Sequence, residues 1–169
     1  MKKYLPAFIC GFGAGVLQVV PVAKSFACCI IVPVAAYLAL VLYQKARGGN
    51  EKLPAGKAAI IGLLTGFYAA LFGSSFDIFV TFVTKNNELI AGYNEMSDMI
   101  GKLPLSTEFK NEFEYLLESI VTDIKTNGFS LFYTGMVFTS NLIFNTIFGL
   151  IGGLLGVQIV NSRRPRPSA

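Results

Sequence analysis

Five polar residues interrupt or border the long apolar runs of this 169-residue sequence, and their side chains could bind a ligand. Amides, a carboxylate and an ammonium group can together hold a small polar solute through hydrogen bonds and charge. The same groups can instead bond to one another across helices and hold a bundle together. We favour this second interpretation, with an Asp77–Lys24 ion pair, and keep an outward-facing polar pocket as the alternative. The five residues are Gln18, Lys24, Asp77, Asn141 and Asn145.

Other chemistry has little support. The chain has no histidine, which removes the commonest general base and the usual haem and zinc ligand. Cys10 lies in an apolar run, and the adjacent Cys28 and Cys29 are too few for a zinc or iron–sulfur centre. No glycine-rich phosphate loop follows a strand. We therefore predict no enzyme activity and no catalytic, cofactor-binding or metal-binding residues.

The elements that position the polar residues are long apolar runs. Hydrophobic residues make up 53% of the chain and charged residues 14%, against roughly a quarter charged in soluble proteins. Each run is long enough for the roughly 20 helical residues that cross a bilayer. The sequence thus predicts an all-α membrane protein, a four-transmembrane-helix bundle forming one domain. The first run is predicted to be a retained span and not a cleaved signal peptide. The predicted spans are residues 4–23, 25–44, 58–84 and 131–161.

Basic residues indicate the orientation of these spans, because Lys and Arg are retained on the cytoplasmic side. The amino terminus, the second connection and the carboxyl-terminal tail at 162–169 are basic, whereas residues 85–130 contain eight acidic residues. Both termini are therefore predicted in the cytoplasm and residues 85–130 outside. The net charge of +4 serves as this topological signal, so no nucleic-acid partner is expected.

The external connection is predicted to be an amphipathic helical segment. Apolar residues recur there at helical spacing in two stretches separated by Pro104. Ser106 or Thr107 can cap the second helix, and Gly128 can end it. Their apolar faces are expected on the bundle or the membrane surface, with a partner protein as the alternative.

Depth along each span can be counted from its cytoplasmic charge at about 1.5 Å per residue. All five polar residues then lie in the outer third of the membrane. The last span is too long for the hydrocarbon core, so we expect residues 131–138 to project beyond it. Their predicted contacts are Phe109, Phe113 or Leu117.

Glycines at intervals of four indicate tight helix packing of the small-xxx-small kind, which drives association in lipid. The pattern leaves open whether the neighbouring helix belongs to the same chain or to a second copy. The predicted packing residues are Gly11, Gly15, Gly62, Gly66, Gly149, Gly152, Gly153 and Gly156.

A resemblance to a known family rests on four features of the sequence. They are the residues LPAGK at 53–57, the Gly62 and Gly66 stripe, the acidic connection, and the glycine-rich last span with its basic tail. Over nearly the whole chain it resembles a family of small four-span bacterial inner-membrane proteins, known as a domain of unknown function. The resemblance implies a location in the bacterial inner membrane and no assigned activity. We therefore expect a structural or accessory membrane protein that packs with itself or a larger complex. The alternative is a small transporter or solute-binding membrane protein.

Overall fold

The computed structural model describes residues 4–20, 24, 26–48 and 52–162, except the side chains of residues 27 and 28. These residues form helices and turns, with no strand among them. The helical elements in chain order are α1 Leu5–Leu17, a π-helical turn Ala27–Ile31, α2 Val32–Ala46, α3 Ala55–Thr84, α4 Glu88–Ala91, α5 Tyr93–Lys102, α6 Thr107–Asn127 and α7 Leu131–Ser162.

The chain divides into two compact units. The bundle unit comprises Met1–Phe76 and Phe138–Ala169, and the acidic unit comprises Asp77–Val137. The long helices α3 and α7 each contribute to both units. The acidic unit takes its name from its composition, because it contains nine acidic residues and four lysines.

Three helical segments of the described chain are long and apolar enough to cross a membrane. They are Cys29–Ala46, Ala55–Thr84 and Leu131–Ser162. Helix α1 is also apolar, but its 13 residues extend only about 20 Å, less than the roughly 30 Å hydrocarbon core. Residues 21–23 of the predicted first span lie outside the described residues. A fourth span at 4–23 therefore stays a prediction.

The core of the bundle unit contains many small side chains beside larger ones such as Tyr43, Ile61 and Val157. Ala7 of α1, Ala39 of α2 and Ala58 of α3 are fully buried in one cluster, together with the larger Leu40. A second cluster contains Ala14, Val32, Ala35 and Ala69. Alanine at such contacts lets helix backbones approach closely, as membrane helices require.

A π-helical turn precedes α2, and Pro33 explains its position. Proline has no backbone N–H, and its ring clashes with the carbonyl four residues earlier, so a regular α-helix cannot run through it unchanged. The chain widens into the π turn at Ala27–Ile31 and resumes α-helical geometry at Val32. This local widening was not predicted, although Pro33 is its sequence signal.

The acidic unit confirms the predicted caps of its longest helix. The Ser106 side chain accepts a hydrogen bond from the Phe109 N–H at 3.3 Å, and Gly128 ends α6 with φ of 74°. A side chain is strained at that φ, so glycine suits the position. The predicted first amphipathic helix is divided at Gly92 into α4 and α5.

The described core of the acidic unit includes Tyr133, and the predicted contacts of residues 131–138 with Phe109, Phe113 or Leu117 stay predictions. Tyr133 of α7 packs with Ile120 and Ile124 of α6, whereas Phe109 is 50% exposed and stacks on Phe113. Tyr133, Ile120 and Ile124 all lie close to the turn that joins α6 to α7. A short connection brings the residues on either side of it together, which accounts for the contact between the start of α7 and the end of α6.

Candidate functional site

Three of the five predicted polar residues come together in the bundle unit. Asn145 of α7 donates a hydrogen bond from Nδ2 to Oε1 of Gln18 at 3.1 Å. One turn earlier, Asn141 donates from Nδ2 to the Ser74 hydroxyl oxygen of α3 at 3.0 Å. Gln18, Ser74 and Asn145 are buried. These four residues, called the amide layer below, connect three helical segments through uncharged groups.

Gln18 is positioned by the end of α1. It is the C-cap residue of that helix, with φ of −67° and ψ of −17°. Its side chain lies against Gly73 of α3, where an added Cβ would be 2.8 Å from Gln18 Oε1. Gly73 therefore provides the space that the Gln18 amide occupies.

The two ends of the Gln18 amide have different surroundings. Oε1 accepts the bond from Asn145, but Nε2 is buried and has no hydrogen-bond partner within the described part of the chain. An unpaired buried donor costs about 1–3 kcal/mol. Gln18 Nε2 is thus the one group of the amide layer whose hydrogen-bonding capacity is plainly unused in the described structure.

Asn145 is held in place by close helix contact. It is fully buried, and its backbone lies against Gly66 of α3, where any side chain would collide with the Asn145 carbonyl oxygen. Nearby on α3, Thr65 is also fully buried and donates its hydroxyl to the Ile61 carbonyl at 2.8 Å. The polar groups at this level are therefore enclosed by backbone and apolar side chains.

Asp77 lies in the acidic unit. It accepts a hydrogen bond at Oδ2 from the Tyr133 hydroxyl at 3.1 Å. The side chains of Thr81 and Asn87 flank the same hydroxyl, and Thr81 and Tyr133 are buried. The predicted partner, Lys24, belongs to the bundle unit, and the Asp77–Lys24 pair stays a prediction.

Ser74 and Tyr133 were not among the predicted site residues. Tyr133 carries a polar hydroxyl three residues into a long apolar helix, which is a recognisable signal for a buried hydrogen bond. Ser74 has the weaker signal of any hydroxyl in an apolar helix. Such a hydroxyl commonly bonds to its own helix backbone, so the sequence does not single it out.

Glycines at the α3–α7 contact bring two helix backbones together. A Cβ added at Gly149 would lie 2.5 Å from the Gly62 carbonyl oxygen and 2.9 Å from the Gly66 Cα. One added at Gly153 would lie 2.6 Å from the Ala58 carbonyl oxygen. No residue with a side chain fits at these positions without moving a helix.

The other predicted glycines also contact helices of the same chain. Gly11 and Gly15 of α1 lie against α3, where added Cβ atoms would be 2.6 Å from the Tyr68 Cβ and 2.8 Å from the Phe72 Cβ. Two glycines of α7 lie against α2, Gly152 at Pro33 and Gly156 at Tyr37 and Leu40. All eight predicted glycines thus have neighbours within one copy of the protein.

A further polar contact in the bundle unit, which was not predicted from the sequence, joins the end of α7 to the residues just before α3. Asn161, near the end of α7, donates from Nδ2 to the Leu53 carbonyl at 3.0 Å. Its Oδ1 accepts from the Leu53 N–H at 3.1 Å. One side-chain amide therefore satisfies both backbone groups of a buried residue just before α3.

Two of the cysteine side chains, those of Cys10 and Cys29, are described by the structure. Cys10 is half-buried and Cys29 exposed, and neither forms a disulfide. The described residues contain no group of three or more His, Cys, Asp or Glu side chains that could hold a metal ion.

No protein-family model, curated protein or solved structure matches this chain. The resemblance to a four-span bacterial family therefore stays a prediction.

Proposed function

We propose that this protein is a structural or accessory protein of the bacterial cytoplasmic membrane, with four spans, both termini in the cytoplasm and the acidic unit outside. The observation that carries the proposal is the α3–α7 contact, in which Gly62 and Gly66 meet Gly149 and Gly153 backbone to backbone. Contacts of this kind stabilise helix association in lipid, where apolar side chains gain little by leaving the solvent.

The same contact argues against a conducting role for a single copy. A permeation route through the membrane needs a continuous series of hydrogen-bonding groups or water. At the glycine contact, backbone atoms fill the space between α3 and α7. The amide layer then serves as an interhelical network, and the chain as a scaffold.

The surfaces left for a partner are apolar. Helix α3 exposes Ile60, Leu63 and Phe67, and α7 exposes Ile147 and Leu155 among others. These faces suit lipid or another membrane helix. Because the predicted glycines are used inside the chain, a homo-oligomer or larger complex would pack on these bulkier faces.

The topology is tested by labelling single cysteines in intact cells, in a background without the native cysteines. With a membrane-impermeant maleimide, we expect labelling at Glu112→Cys and none at Arg47→Cys or Arg163→Cys. Permeabilised cells provide the control, because all three positions should then react. Labelling of position 47 from outside would refute the proposed orientation.

The scaffold role is tested by reconstitution and by purification from native membrane. We expect a stoichiometric membrane partner or a homo-oligomer to co-purify in mild detergent. Liposomes containing the protein should show the same ion and solute flux as empty liposomes. Flux that Asp77→Asn abolishes would instead establish a transporter.

A further inference from the structure

The unused donor of Gln18 points to a ligand. Gln18 is 6% exposed, its Oε1 is bonded to Asn145, and its Nε2 has no partner among the described residues. A membrane interior offers no water to such a group, so the penalty of the unpaired N–H persists until something supplies an acceptor.

The surroundings of Gln18 Nε2 specify the chemistry of that ligand. The amide nitrogen can only donate, so the ligand must contribute an acceptor. The remaining members of the amide layer, Ser74, Asn141 and Asn145, are uncharged. A buried charge without an opposite charge is costly, which favours a neutral ligand. A carbonyl oxygen, neutral and with two lone pairs, meets both requirements.

The position of Gln18 provides access from the side of the bundle. It ends α1, and its neighbours Leu17 and Val20 are both 48% exposed. Beyond it, the backbone is held by turn-type bonds of 3.2 Å from Val19 N–H to the Val16 carbonyl and from Val20 N–H to the Leu17 carbonyl. The route by which a ligand would reach the amide is therefore this end of α1, and it requires side chains there to move.

We propose that Gln18 Nε2 donates a hydrogen bond to a neutral carbonyl oxygen of a ligand that enters from the lateral face of the bundle. Asn145 holds the amide in the orientation that presents Nε2. The carbonyl belongs either to the ester of a phospholipid or to a free amide solute. This site rests on the proposed location of the bundle unit in a membrane and not on the scaffold role.

The test uses the full chain in nanodiscs made from ester-linked phosphatidylglycerol or from its ether-linked analogue, which lacks the carbonyl groups. If a lipid is the ligand, the wild-type Tm should be about 2–4 °C higher in the ester lipid, the effect of one net hydrogen bond in a chain of this size. If a solute is the ligand, acetamide should raise the Tm in the ether lipid by a similar amount.

Two glutamine variants separate this site from general lipid effects. Gln18→Met removes the donor, and the difference between ester and ether lipid, or the response to acetamide, should disappear. It also leaves Asn145 without its acceptor, which lowers the Tm equally in both lipids and cancels in the comparison. Gln158→Met, at an exposed position of α7, should retain the wild-type response. A wild type that responds to neither probe, or a Gln18→Met variant that responds like wild type, would overturn the proposal.

A measurement on the wild type covers the case in which Gln18→Met does not fold. The chain has three glutamines, at positions 18, 44 and 158. Labelling them with ¹⁵N gives side-chain amide signals, and Gln44→Met and Gln158→Met assign the other two. The Gln18 amide protons should shift downfield between ether and ester lipid, or on addition of acetamide. Identical Gln18 signals under all three conditions contradict the proposal.

Discussion

The bundle unit and the acidic unit are packed by different kinds of residue. Fully buried positions of the bundle unit are occupied mostly by alanine and glycine, as at Ala7, Ala39 and Ala58. The acidic unit buries the larger Ile120 and Ile124, and the opposite face of α6 is polar and exposed.

The proposed topology, with the bundle unit in lipid and the acidic unit in water, accounts for this difference. In water, large apolar side chains stabilise a core because burial removes them from the solvent. In lipid that gain is absent, so helices associate through close backbone approach and interhelical hydrogen bonds. The acidic unit therefore depends on large buried side chains, and the glycine contacts of the bundle unit depend on close backbone approach. Removing side-chain volume should destabilise the acidic unit, and adding it at those glycines should destabilise the bundle unit.

The largest effect is expected from removing volume in the acidic unit. Ile124 is fully buried, so Ile124→Ala should lower the free energy of unfolding by about 2–5 kcal/mol through lost burial and a cavity. Chemical denaturation followed by circular dichroism measures the loss. Met99→Ala, at a position 68% exposed, should change stability by less than about 0.5 kcal/mol. Equal effects of the two would show that the acidic unit has no core of the kind described.

Adding volume should be the damaging change in the bundle unit. Gly62→Leu places a side chain against the Gly149 backbone and should cost about 1–3 kcal/mol. Thermal unfolding in detergent, with size-exclusion chromatography, provides the measurement. The matched control is Gly13→Leu on α1, where an added Cβ meets nothing within 4 Å. Since leucine also favours the helix over glycine, that control should be neutral or stabilising. A loss as large as that of Gly62→Leu would contradict the close-approach interpretation.

The smallest effect concerns local helix formation in the acidic unit. Ser106→Ala removes the oxygen that accepts from the Phe109 N–H and should cost about 1 kcal/mol. Hydrogen exchange of the first-turn amides of α6 should become faster, while amides near Gly128 keep their protection. Ser119→Ala, exposed in the middle of the same helix, serves as the control and should leave exchange unchanged. Unchanged exchange in Ser106→Ala would show that the cap contributes nothing.

Local features of the fold could be predicted from the sequence, because their causes are local. The helix predicted at 131–161 is observed at Leu131–Ser162. The predicted caps Ser106 and Gly128 are confirmed. A capping side chain acts over three residues, and a long apolar run has few alternatives to helix. The π turn before Pro33 was missed, since proline marks a disturbance without specifying its form.

Partners distant in the sequence could not be predicted. Counting residues from a cytoplasmic charge estimates depth but not the rotation of a helix about its axis. Asn145 and Gln18 were therefore expected at a similar level, but their bond across 127 residues was not. The Asp77–Lys24 pair, predicted from opposite charge, stays a prediction, whereas the Tyr133 hydroxyl was not foreseen as a donor to Asp77. This bond depends on the helix face that α7 presents, which no local pattern reveals.

The contact between Asn161 and Leu53 has a consequence for the order of assembly. The two residues are 108 positions apart, and at roughly 5–20 residues per second the ribosome adds Asn161 on the order of 5–20 s after Leu53. During that interval the Leu53 N–H and carbonyl have no Asn161 to bond to, and water must satisfy them. Burial of Leu53 in this contact therefore has to wait until the end of α7 has been synthesised.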